Sequence, residues 1–126
     1  MYPHISAQIF TDQATSGTTA YPSVRSSPGR NGHWDFDFTK TGTGTGSLAL
    51  QFNNRTDQHF KTDETAGWKQ HDMAAGTGVT GGAIDVPATN PWTAEVKIAN
   101  WSPRRVRWVY TNATGTTVLN GWAAGS

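Results

Sequence analysis

Asp35 and Asp37 stand two residues apart in Trp34-Asp35-Phe36-Asp37-Phe38. On a strand both carboxylates would share one face, about 6.5–7 Å apart, and glycoside hydrolysis uses two carboxylates at comparable separations. Alternate acids on a solvated face also keep an aromatic strand soluble, and that reading is preferred. Asp57, Asp63 and Glu64, with Gln58 and His59, offer cation-binding groups. Their spacing matches neither an EF-hand nor a His-x-x-x-His pair, so they read as a solvated loop. The histidines at 4, 33, 59 and 71 fall in separate turn or terminal contexts without ligand spacing. A hydrolytic triad finds no Gly-x-Ser-x-Gly elbow and no Ser-x-x-Lys to carry its nucleophile. Gly42 to Ser47, GTGTGS, lacks the lysine and following helix of a phosphate loop and reads as an inter-strand turn. No catalytic, metal-binding or cofactor-binding residue is expected, and the chain is read as a non-enzyme.

The remaining cluster is cationic: Trp101, then Pro103-Arg104-Arg105-Val106-Arg107-Trp108. Arginines beside aromatic rings grip single-stranded nucleic acid by phosphate pairing and base stacking. On a strand, however, Arg105 and Arg107 point away from Trp108, so a solvated or subunit-contacting face is preferred and nucleic acid is disfavoured as a partner. Arginine forks and tryptophans are enriched at protein interfaces. The expected interaction surface is therefore Trp92, Trp101, Arg104, Arg105 and Arg107. Trp68, Trp92, Trp101 and Trp122 near strand ends also raise carbohydrate stacking.

The elements that must position these groups are strands. Three Leu, four Ile, seven Val and five Phe make a lean aliphatic complement for 126 residues, whereas six Trp and three Tyr supply large rings. A net charge of +1 removes the condition that would make such a composition disordered. The core should be aromatic and thin. Nineteen Thr, fourteen Gly and six Pro favour strands joined by turns over helices. Period-two alternation marks Trp34–Phe38, Ser47–Phe52, Trp92–Ile98 and Arg105–Tyr110, and more weakly Ile5–Phe10, Tyr21–Ser26, Gly67–Met73, Gly82–Val86 and Thr116–Trp122. Turn clusters at Ser27–Gly32, Gly42–Gly46, Gly76–Gly82 and Asn112–Gly115 separate them. The expectation is an all-β, antiparallel, jelly-roll-like β-sandwich of about eight strands, forming one domain over residues 1–126. Asp12 to Ala20 is the least patterned stretch and reads as a long loop or mobile arm; a helix fits only around His71 to Ala75.

Without cysteine there is no disulfide framework and no thiolate metal site. The start, MYPHISAQIF, has no basic n-region or long apolar h-region, so no cleaved export signal is expected. No window approaches the roughly 18 apolar residues of a membrane helix, and no membrane partner is expected.

The turn Thr41–Gly46, the following SLALQF and the run Arg105-Val106-Arg107-Trp108-Val109-Tyr110-Thr111-Asn112-Ala113-Thr114-Gly115-Thr116 resemble small β-sandwich virion structural proteins of tailed bacteriophages. The loop Asn53–Asp57 with Trp68 downstream matches that pattern more loosely, because the Asp-Gly pair is absent. The resemblance implies a virion component without catalytic residues: a capsid decoration (cement) protein, or a head or tail accessory protein. Its implied partners are the major capsid protein or other virion proteins and further copies of itself, with a trimer favoured. Its implied place is the capsid surface after assembly in the host cytoplasm. The alternative is a carbohydrate-binding or receptor-binding tail domain, whose partner would be a glycan.

Overall fold

The computed structural model describes the strand backbones at residues 5–14, 17–20 and 24–25 and the chain from 32 to 125. The strands are β1 (Ile5–Ala14), β2 (Gly17–Ala20), β3 (Val24–Arg25), β4 (Trp34–Thr41), β5 (Thr45–Asn53), β6 (Lys69–His71), β7 (Val79–Thr80), β8 (Ala83–Val86), β9 (Trp92–Ile98), β10 (Arg105–Thr114) and β11 (Thr117–Gly125), with one short helix, α1 (Asp57–Thr62). Eight of these strands have at least four residues.

Those eight pair from the outside inwards: β1 with β11, β2 with β10, β4 with β9 and β5 with β8, all antiparallel. The pairs alternate between two sheets, β1-β11-β4-β9 and β2-β10-β5-β8-β7, with β3 added to β10 and β6 to β5. A long hairpin of four strand pairs, rolled so that successive pairs land in opposite sheets, is a jelly roll.

Side-chain alternation explains why the sheets face each other. Along β4 every second residue, Trp34, Phe36, Phe38 and Lys40, is buried, while Asp35, Asp37 and Thr39 point outwards. Leu48 and Leu50 of β5, Val106, Trp108 and Tyr110 of β10, and Leu119 and Ala123 of β11 close the interior. The centre is aromatic, as the composition implied. Phe36 and Phe38 meet Trp108 edge-on at 5.2 and 4.8 Å, and Trp34 stacks on Phe36 at 5.7 Å. Such pairs add about 0.5–1.5 kcal/mol each beyond the area they bury.

Among the described residues, Lys40, Tyr110 and Thr117 bring polar groups into the interior. The Lys40 ammonium donates to the carbonyls of Gly44, at 2.8 Å, and Pro87, and burial lowers its pKa. The Tyr110 hydroxyl donates to Asn112 Oδ1 at 2.8 Å and lies 3.1 Å from Thr117 Oγ1; burial raises its pKa. The glycine-rich turn before β5 seats against the β10–β11 turn: Gly44 N–H donates to Thr116 O, and a Cβ on Gly44 would stand 2.0 Å from Thr117 Oγ1.

Two expectations are corrected. The stretch Asp12 to Ala20 supplies the end of β1 and all of β2, because backbone pairing to β11 and β10 needs no apolar alternation. His71 ends β6 rather than starting a helix. The helix lies instead at Asp57–Thr62, where Thr56 caps it by accepting the His59 N–H. The turn expected at Ser27–Gly32 lies outside the described residues except for Gly32.

Candidate interaction surfaces

The five residues expected to form one surface are dispersed. Arg105 and Arg107 do project from the outer face of the seven-stranded sheet, opposite Asn53 and Gln51 of β5. That face is roofed by the segment 54–68. Its buried Phe60 lies 4.0 Å from the Arg105 guanidinium, and Trp68 lies 4.1 Å from that of Arg107. The two rings meet edge-on at 6.0 Å. Arg105 Nη2 pairs with Asp57 Oδ1 at 2.7 Å, and Arg107 Nε donates to Gln51 Oε1 at 2.8 Å. Arg105 is only 8% exposed. These cations therefore do meet aromatic faces, but faces of their own chain. Burial pushes the Arg107 pKa down. The roof is fixed by buried Asn53, whose amide donates to Ala66 O and whose Oδ1 accepts the Arg55 N–H.

Arg104 is exposed and its backbone N–H donates to Asn54 Oδ1. Trp101 plugs one end of the sandwich. Its carbonyl accepts Trp34 Nε1–H at 2.9 Å, and its ring meets Phe52 edge-on and tilts over His71 at 4.3 Å. Trp92 stands opposite Lys40 at the start of β9, half-buried against the core. Six residue steps separate it from Ile98, placing it about 20 Å from the Trp34 end.

The outer face of the four-stranded sheet carries the expected acidic pair and a third carboxylate that the sequence did not single out. Asp35 and Asp37 do share that face, and Glu95 joins them from β9, directly opposite Asp37. Oxygens of all three carboxylates lie within 4.8 Å of one another. The Asp37 pKa is raised, by desolvation first and then by the charges of Asp35 and Glu95. Lys97 reaches Glu95 at 3.5 Å. Trp122, 45% exposed, is the register partner of Asp37 on β11. The other acidic group disperses: Asp57 pairs with Arg105, while Asp63 accepts from Thr65 N and Oγ1, bonds that lower its pKa. His33 and His59 are exposed, and His4 lies outside the described residues.

A cavity of about 260 Å³ opens beside the roofing segment, lined by Phe52, Asn54, Arg55, Gly67 and Lys69. No stretch of sequence announces it, because its walls come from the end of β5, the two ends of the roofing segment and the start of β6.

No family model matches the chain, and no curated protein matches it. Among solved structures it is similar to a chain in "Structure of deformed wing virus carrying the GFP gene", at 11% identity and a TM-score of 0.48. That similarity covers 97% of this chain and 44% of the other, so this chain spans less than half the length of the one it matches.

Proposed function

We propose that this chain is a non-enzymatic virion structural protein, and more specifically a decoration protein that binds a shell of major capsid protein as a homo-oligomer. The observation that carries the reading is the outside-inwards pairing of eight strands into a jelly roll, an architecture that serves viral capsids as well as lectins. The step from architecture to role is one of analogy. It is joined by the resemblance of the segment Arg105–Thr116 to virion proteins. In the fold this segment makes β10 and enters the turn before β11, supplying Val106, Trp108 and Tyr110 to the core. A small, rigid sandwich meets the mechanical demands of a shell-binding protein, and closed symmetric oligomers suit shell positions of matching symmetry.

The test is density-gradient purification of particles made from the genome that encodes the chain, followed by quantitative mass spectrometry. The chain should band with the particles at a fixed ratio to the shell protein. Its presence in the infected lysate but not in the particle band would overturn the reading.

A receptor-binding or carbohydrate-binding domain is the second reading, favoured by exposed Trp122 beside Asp37, with Glu95 one strand further on. A sugar ring stacking on that indole would change its fluorescence across a glycan panel. A silent panel would remove this alternative.

A further inference from the structure

The cavity bounded by Phe52, Asn54, Arg55, Gly67 and Lys69 has an unusual balance of unused hydrogen-bonding capacity. Asn54 Oδ1 already accepts the Arg104 N–H, which leaves that side chain its two NH₂ donors and one further lone pair on the oxygen. Arg55 holds the Asp63 and Ala66 carbonyls through Nη1 alone, which leaves Nε and Nη2 without a protein partner among the described residues. The Lys69 ammonium has no partner among them either, and Lys69 stands opposite Phe52 in register. Apart from that lone pair, the unused side-chain groups on the walls are donors, and two of the three residues that carry them are cationic. Phe52, held edge-on by Trp101, adds an apolar wall. Gly67, at φ +85°, completes the other side where a Cβ would stand 2.4 Å from Arg55 Cδ.

Donors and cations around an apolar wall select an anionic acceptor attached to an apolar body. At about 260 Å³ the space falls below the roughly 300–1,000 Å³ of sites for drug-sized ligands. It suits a single residue. We propose that this cavity binds the C-terminal residue of a partner polypeptide: the carboxylate meets Lys69, Arg55 and the Asn54 amide, and an apolar side chain lies against Phe52. The inference is independent of the virion role, because it is read on the purified chain alone.

The experiment is an amide-resolved NMR titration of the purified chain with N-acetyl-L-phenylalanine, its uncharged amide and inorganic phosphate, each up to about 20 mM. The carboxylate probe should shift the amides of residues 52–55 and 67–69 saturably. The uncharged amide should not, and phosphate should bind at least fivefold more weakly. Lys69→Gln, at an exposed position, should weaken the carboxylate probe at least fivefold. Asn54→Asp keeps the acceptor for the Arg104 N–H but replaces donors with a negative charge, and should abolish saturation. Unchanged shifts in the core strands establish that both variants are folded. Equal binding of probe and uncharged amide would reduce the site to an apolar dent and overturn the proposal. Phosphate matching the probe would leave the apolar body no role, and no shift with any probe would remove the site; either result overturns it.

Discussion

Arg105 is a buried cation whose neutralisation depends on a residue 48 positions earlier in the chain. Removing Asp57 leaves the guanidinium under Phe60 without its anion, so Asp57→Ala should destabilise by about 1–3 kcal/mol in urea unfolding. Arg105→Met keeps the stem against Phe60 and removes the charge. It should cost less than about 1 kcal/mol, and adding it to Asp57→Ala should recover most of that loss. Asp37 gives a test in pH. Its folded pKa is raised above 3.8, so the folded state holds that proton more tightly than the unfolded one. Its contribution to stability is full below pH 3.8 and is lost as pH rises through the folded value. Asp37→Asn should therefore gain stability relative to the parent as pH rises above 3.8. Asp63, with a lowered pKa, has the opposite sign: its contribution is full above 3.8 and is lost as pH falls through its folded value. Parallel melting curves of the parent and Asp37→Asn at several pH values separate the two. At this scale the sequence was partly legible. It placed Arg105 and Arg107 opposite Trp108 on β10, but it could not show that Phe60 and Trp68, distant in the chain, would cover them. The cavity walls were hidden for the same reason.

Strands with period-two apolar spacing were legible because their alternation directly encodes one buried face: β4, β5, β9 and β10 follow it. Elements held mainly by backbone pairing were less so. β2, Gly-Thr-Thr-Ala, lies in a stretch that reads as a loop and is a strand through its pairing with β10, whereas β3, Val-Arg, falls within the weaker strand candidate Tyr21–Ser26 and also pairs with β10. Helix α1 has a capping threonine but only six residues, too few to show a helical period. The edge strand β9 carries Glu95 and Lys97 outwards, charges that discourage pairing with a stray strand. The turn before β5 was read correctly as a connection, yet the tight contact of Gly44 with Thr116 and Thr117 follows only from the three-dimensional path. Gly44→Ala should cost about 1–3 kcal/mol by urea unfolding, because the new methyl meets backbone as well as the Thr117 hydroxyl. Gly76→Ala, where a Cβ meets nothing, should cost far less and serves as the control.

For the whole molecule, the composition foretold a thin aromatic core, and the interior built on Trp34, Phe36, Phe38, Trp108 and Tyr110 fulfils that expectation. The proposed oligomer would add burial between copies to this core. Its melting temperature should therefore fall on dilution across the dissociation range, as mass action requires; differential scanning fluorimetry over a hundredfold concentration series reads this directly, and a concentration-independent Tm with a monomer mass by light scattering would argue for a self-sufficient single copy. Attachment to a shell is visible in a cryo-electron microscopy reconstruction of the assembled particle from the encoding genome. Density for this two-sheet jelly roll is expected on the outer surface of the shell, repeated at symmetric positions. A fully assigned particle map with no density that accommodates the chain would contradict that attachment.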